Sequence, residues 1–560
     1  MHNSAHQWQR RPLLRVIPLL LYLLGANAIA WQHGDTSPDL GGSAEPCDFH
    51  ALCSCVRDRS RAYCRAVPLT TLPETSGYSH VTIEGCASLS VLKNASSLRP
   101  SEVTSLQLND NRLSRIEHSA FANVPNLTNL DLSRNRLTEF PVGTLLTLTR
   151  LQRLDLRFNS IGELDAAELT QLARKLLSLR SLHLSGNCIT SVRDVTFSAF
   201  GNLTILDLDN NDILKIEGRP FPPSLVRLNL TGNLLEQVPG SVLDELRNLS
   251  YLLLGDNAIQ RLDPNWTLPT DHLDTLNLAR NAISQLPQRL KLAPRHVSFS
   301  VNHLESLPEA LFQGLDDVIV HLDLAHNKVS GFPRAIAKLR RLKILNLRDN
   351  QISELDEYDL FSCRVSLRVL DISSNDFDAI PHVALKFLSR LQLLNMADNG
   401  LTSIENRDFK HGLDGLLSLD LSGNRISHIE QHAFEALSKL ESLSLAYNPI
   451  TTINSDWFPK GCPHLKVIDV SGTRLESDTL NSFLQSCQRI HSLDAIYAGL
   501  PALQPTTLNQ MSELISVNLM QNDWRYIPKD SLNGSVQQNL TAVKIDRTES
   551  SGYNQARSAI

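Results

Sequence analysis

The nonapeptide Leu416-Leu-Ser-Leu-Asp-Leu-Ser-Gly-Asn424 is spelled L-x-x-L-x-L-x-x-N, and that spelling returns about every 24 residues along nearly the whole 560-residue chain. Leucines at its first, fourth and sixth places must all face one side. A short strand flanked by turns allows this, whereas an isolated amphipathic helix of period 3.6 does not. The Asn closes the turn. Its amide both donates and accepts, so a stacked column of such residues satisfies backbone groups that would otherwise be buried unpaired.

Aligned on the ninth place, the copies end at Cys86, Asn111, Asn135, Asn159, Asn187, Asn211, Asn233, Asn257, Asn281, Asn302, Asn327, Asn350, Asn375, Asn399, Asn424, Asn448, Thr473, Ala498, Asn522 and Thr548. That makes twenty turns, sixteen of them with Asn, mostly spaced by 22 to 26 residues, with a short turn of 21 ending at Asn302 and a long one of 28 ending at Asn187. A helical bundle or coiled coil would need sustained heptads without the fixed Asn and its regular break. The fold expected is an α/β solenoid: a leucine-rich-repeat horseshoe of about twenty turns, with a parallel β-sheet on its concave face. Phrases such as Ile116-Glu-His-Ser-Ala-Phe121 and Ile429-Glu-Gln-His-Ala-Phe434 place a Phe at the back of the core under a short helical or 3₁₀ segment. The long turn carries Ala166-Ala-Glu-Leu-Thr-Gln-Leu-Ala173, which reads as a fuller convex helix.

Around the solenoid, residues 80–548, the chain divides simply. Residues 1–30 carry Arg10, Arg11 and Arg15, an apolar run from Val16 to Leu24 and the small residues Ala26-Asn-Ala28-Ile-Ala30. This is the pattern of a secretory signal peptide, and the run is shorter than the ~20 residues that a membrane span needs. Its removal takes away three positive charges and no negative ones, moving the formal charge from −6 to −9. A net acidic body argues against nucleic acid as a partner. Residues 31–79 are an N-terminal cysteine cap region and 549–560 a polar tail. That tail has no cysteine cap and no apolar stretch for a span or lipid-anchor signal, so the expectation is an N-terminal portion of a longer repeat protein.

Nine cysteines fall in this secreted setting. Cys47, Cys53, Cys55 and Cys64 cluster directly before the first turn. A zinc site there would need reducing surroundings, which a signal peptide denies. Cys86 takes a ladder place as a buried thiol. Cys462 and Cys487 lie one turn apart at matching places, so stacking brings them close and a bridge between them is an expectation. Cys188 and Cys363 have no obvious mate.

Eight N-x-S/T sequons, at Asn94, Asn126, Asn202, Asn229, Asn248, Asn265, Asn533 and Asn539, are candidate glycan sites. Asn126, Asn202 and Asn248 share one phase just before the strand, which puts them on one edge. Asn229 falls within a strand on the concave face.

The fifth place of each strand is expected to be exposed on the concave sheet, and it carries a column of acids: Asp131, Asp155, Asp207, Asp323, Asp371, Asp420, Asp469 and Asp494. Asn229, Asn277, Asn346, Asn395 and Asn518 lie between them. Two readings stand. One is an acidic, amide-rich strip that meets a basic or glycan-bearing partner or holds calcium. The other is a set of lateral hydrogen bonds along the sheet. Enzyme motifs are weak: His428-Ile-Glu-Gln-His432 lacks the H-E-x-x-H order, and no nucleophile elbow, phosphate loop or triad motif interrupts the repeat. No cofactor is expected.

The residues Pro46-Cys-Asp-Phe-His-Ala-Leu-Cys-Ser-Cys55, with Cys64 and Val67-Pro68, resemble the N-terminal cap of extracellular leucine-rich-repeat proteins, and of the chaoptin group of surface adhesion proteins in particular. The long series of turns without a mid-chain cysteine cap is similar to that group too. The resemblance implies a disulfide-bonded N-terminal cap pairing Cys47 with Cys55 and Cys53 with Cys64. It also implies a cell-surface adhesion molecule held by a C-terminal lipid anchor and binding its own kind or a related surface protein. The sequence departs from the pattern in lacking the anchor signal, so membrane association would run only through a missing C-terminal anchor or a partner. The alternative is a receptor ectodomain or soluble recognition protein of the Toll-like or immune type that captures a secreted ligand.

Overall fold

The computed structural model describes residues 45–47, 50–56, 60–68, 77–93, 102–238, 240–264, 266–267, 273–459, 461–500, 508, 511–522 and 542–544. The expected signal peptide, the polar tail and the sequons Asn94, Asn265, Asn533 and Asn539 lie outside the described residues.

Every one of the twenty ladder places is preceded by a short strand, from His80–Glu84 through Ser418–Asp420 to Ala542–Lys544. All pair in parallel and in one register, so that Leu394, Leu419 and Leu443 stand side by side. Leu416, Leu419 and Leu421 are buried, and the equivalent residues of the other turns form one continuous apolar core. The expected leucine-rich-repeat solenoid is therefore the observed fold, although its convex side is built mostly of turns. Among the described residues, α-helical segments include Val142–Leu145, Ala166–Ala173, His382–Leu385 and Ser477–Ser486, all of them short. The 28-residue turn holds Ala166–Ala173. Asp165 caps it, its carboxylate accepting from Ala167 N at 2.8 Å and Glu168 N at 2.9 Å.

The ladder works as an amide that bridges two turns. Asn135 Nδ2 donates to Leu132 O in its own turn at 2.9 Å and to Leu108 O in the turn before at 2.8 Å, while its Oδ1 accepts from Leu113 N at 3.1 Å. The place before it carries a second constraint. From Gly85 to Gln521 each eighth-place residue is left-handed, with φ between +50° and +69°, and among them are Phe158, Val301, Tyr447 and Tyr497. This residue swings the chain out of the sheet so that the Asn side chain points inward.

Behind the core, Phe residues ten places after the ladder position stack from turn to turn. Phe409 and Phe434 lie 5.9 Å apart between ring centroids, and Phe434 and Phe458 lie 5.4 Å apart. At the N-terminal end, strands Glu45–Cys47, His50–Cys55 and Arg61–Arg65 form an antiparallel unit whose last strand pairs in parallel with His80–Glu84. This unit covers the first turn as a cap must. Disulfides join Cys47 to Cys55 (Cα–Cα 5.1 Å), Cys53 to Cys64 (4.4 Å) and Cys462 to Cys487 (5.3 Å). Cys86 and Cys363 are buried thiols, and Cys188 is exposed.

Candidate functional site: the concave sheet

Strand alternation sends the third and fifth places to the concave side while the fourth enters the core. The acidic column does not stand free there, however. Asp155 and Asp494 are buried, and Asp131, Asp207, Asp323, Asp371, Asp420 and Asp469 are half-buried. The expectation of exposure fails because most of these side chains fold back onto the backbone. Asp131 accepts from Ser133 N at 2.8 Å, Asp323 from Ala325 N at 3.2 Å, Asp371 from Ser373 N at 3.0 Å, Asp420 from Ser422 N at 3.0 Å and Asp469 from Ser471 N at 2.9 Å. Asn277 and Asn346 do the same for Ala279 N and Arg348 N. A fifth-place Asp or Asn can thus accept from the amide two residues on. Lateral bonds exist as well: Asn395 Nδ2 donates to Asp371 Oδ2 at 3.2 Å, and Ser298 Oγ donates to Asp323 Oδ2 at 3.0 Å.

The two halves of the face differ in charge. In the N-terminal half cations answer the acids. Arg157 holds Asp155 at 2.7 Å and Arg227 holds Asp207 at 3.2 Å. Burial and the neighbouring Asp155 push the Asp131 carboxyl up, and the hydrogen bond to Asp155 raises the Arg157 guanidinium. Burial also acts to raise Asp207, but the hydrogen bond and charge of His183, together with Arg227, outweigh it and hold this carboxyl below its ordinary value.

That last group was not legible in the sequence. Ser181 Oγ lies 2.7 Å from His183 Nε2, and His183 Nδ1 lies 2.7 Å from Asp207 Oδ2. This is the hydrogen-bond order of a hydrolytic triad, assembled from the third and fifth places of one strand and the fifth of the next. Acyl transfer also needs a pair of donors aimed at a developing oxyanion. Here Ser181 N donates to Gln152 O at 3.0 Å and Leu184 N to Asp207 O at 2.8 Å, so these amides are spent on the sheet. The arrangement acts as a cross-strand tie.

Among the described residues no group of three or more His, Cys, Asp or Glu is placed to hold a metal ion. His432 of the His428/His432 pair instead meets Glu435 at 3.1 Å. Of the sequons, Asn126, Asn202 and Asn248 are exposed. Asn202 reaches Leu177 O at 2.8 Å and Asn248 reaches Pro223 O at 3.2 Å, each 25 residues back, so both lie on the same edge. Asn229 is the exception. It is only 8% exposed, donates to Asp209 Oδ1 at 3.0 Å and accepts from Thr231 N at 3.1 Å, so it is not an available glycan acceptor.

A parallel sheet locked by an asparagine ladder and presenting a polar concave face defines a solenoid of leucine-rich turns. The chain belongs to the leucine-rich-repeat family: the profile described as "Leucine rich repeat" matches residues 101–161, 169–219, 223–285, 295–352, 365–425 and 414–475, together more than half of the chain. Podocan of Mus musculus is 29% identical over 219 residues, 38% of this chain and 35% of podocan. Keratocan of Bos taurus is 31% identical over 186 residues, 32% of this chain and 51% of keratocan. The chain thus spans a third to a half of these relatives. Among solved structures, a leucine-rich-repeat protein of Leptospira interrogans superposes with a TM-score of 0.57 at 24% identity, covering 70% of this chain and 90% of that one. A chain of the Drosophila Toll–Spatzle complex superposes with a TM-score of 0.60 at 19% identity, covering 86% and 63%. Both likenesses are of fold.

Proposed function

We propose that this chain is a non-enzymatic extracellular recognition protein whose contact surface is the concave sheet, and that it serves cell adhesion with a second copy of itself or a related surface protein. The observation that carries this reading is the ordered face itself. Polar side chains there are held by bonds within the sheet before any partner arrives, so association immobilises little that is not already fixed. Three disulfides suit an oxidising compartment. The chaoptin-like cap supports surface adhesion. The exposed Asn126, Asn202 and Asn248 would place glycans along one edge and leave the concave face uncovered. No helix among the described residues is long and apolar enough to cross a membrane.

The test is bead aggregation with the secreted, glycosylated chain, read with and without calcium. Clustering of beads that carry only this protein is the expected result. Beads that stay dispersed in both conditions would overturn homophilic adhesion and favour capture of another protein.

A further inference from the structure

From Val369 to Asn518 the third, fifth and seventh places of seven successive strands contain no Lys, Arg or His. The same places in the N-terminal half hold Arg153, Arg157, His183 and Arg227. Asp420, Asp469 and Asp494 are fifth-place residues of this cation-free stretch. In register order the fifth places run Asp420, Ser444, Asp469, Asp494 and Asn518. A second observation falls in the same place. Among the described residues, three buried side-chain polar atoms have no hydrogen-bond partner: Ser442 Oγ, Ser444 Oγ and Asn518 Oδ1. Ser442 and Ser444 are 4% and 1% exposed, and they flank the core residue Leu443, so both hydroxyls are directed to the concave side. Leaving buried polar atoms unpaired costs free energy that an incoming donor would recover. At the rim of the same turns Tyr447 and Tyr497 are 55% and 68% exposed, and Tyr447 lies over Gly472, where an added Cβ would meet its ring at 2.5 Å. Exposed aromatic faces suit cationic side chains.

We propose that the concave face of turns 416–498 receives a Lys- or Arg-bearing segment of the protein partner, whose N–H donors meet Asp420, Asp469, Asp494 and the unpaired Ser444 hydroxyl while Tyr447 and Tyr497 flank it. This rests on the recognition reading above and specifies its chemistry. Asp494 is faced by Asp469, Asn518 and Lys544. Burial first, and then repulsion from Asp469, raise its carboxyl to about 6, so occupancy by a cation should weaken as the pH drops below that value.

The test uses the full secreted chain and a fluorescein-labelled dodecapeptide of alternating Lys and Gly, with a Glu/Gly dodecapeptide as control, followed by fluorescence anisotropy. The triple variant D420N/D469N/D494N keeps an acceptor at each fifth place, as Asn277 and Asn346 already do. It should bind the Lys peptide about tenfold more weakly. The variant D131N/D155N/D323N changes net charge equally and should stay within about twofold of the parent. Equal losses in both variants, or no binding of the Lys peptide by the parent, would overturn the proposal. In the bead assay, unaltered clustering by D420N/D469N/D494N would leave the recognition reading standing and refute the cationic contact as its basis. Lys-peptide binding with the expected variant pattern by a chain that never clusters would support the site while refuting homophilic adhesion.

Discussion

At the scale of single residues, stability rests on places where one side chain serves two turns. Asn424 donates to Leu421 O at 2.9 Å and Met396 O at 3.0 Å, and accepts from Leu401 N at 3.2 Å. Asn424→Ala would strand the buried Leu401 N and leave Leu421 O and Met396 O with only their bonds from Asn448 Nδ2 and Asn399 Nδ2, so we expect a loss of about 2–3 kcal/mol in urea unfolding. Its neighbour in the left-handed column behaves oppositely. A β-branched residue at φ +54°, as at Val301, is strained, whereas Asn tolerates that region. Val301→Asn should therefore stabilise by about 1 kcal/mol, and an unchanged or lowered urea midpoint would refute the strain.

Two carboxylates on the concave face should respond to pH with opposite signs. The Asp207 carboxyl is held low, so its contribution is present above the unfolded carboxylate value of about 4 and is lost as the pH falls through the folded one. Asp207→Asn should cost about 1–2 kcal/mol at pH 7, with the difference shrinking toward pH 3. The Asp494 carboxyl is raised to about 6, so the folded state binds its proton more readily and stability declines as the pH rises from about 4 to 6. Asp494→Asn should then be more stable than the parent at pH 7 and indistinguishable from it at pH 4. Denaturant midpoints at the two pH values decide both.

At the scale of elements, the strands were legible because inward leucines and the closing Asn leave a fixed spelling, and each aligned copy has its strand where the spelling puts it. The helix at Ala166–Ala173 was legible from the same arithmetic, since its turn has residues to spare. Other features left no spelling. The left-handed eighth place accepts Gly, Asp, Arg, Phe, Val and Tyr alike, because its side chain leaves the sheet and only its backbone is constrained. Burial of the Asp column was hidden because alternation tells which face a residue takes but not that the carboxylate folds back to the amide two residues on. The Ser181–His183–Asp207 tie needs the register of two strands, which no single repeat reveals. The unpaired hydroxyls of Ser442 and Ser444 are likewise a property of neighbouring turns.

At the scale of the whole molecule, each turn touches mainly the turns before and after it, so stability approximates a sum of turn and nearest-neighbour terms. The Phe column sharpens this. Phe434 is fully buried and meets Phe409, Phe458 and, edge to face at 6.1 Å, Trp457. Phe434→Ala would remove contacts from three consecutive turns at a cost of about 3–5 kcal/mol. Because no contact of Phe434 reaches the N-terminal turns, the damage should stay local. Native-state hydrogen exchange should show lost protection from about Ile404 to Phe483, with the strands from Asn129 to Asn229 as protected as in the parent. A uniform loss along the chain would show instead that the solenoid unfolds as one cooperative body. In that case a ligand bound at Asp420–Asp494 would stabilise the distant cap as much as its own turns. Under segmental behaviour, the Lys peptide should raise protection only around its own site, so the same exchange experiment measures how far a contact on this face is felt.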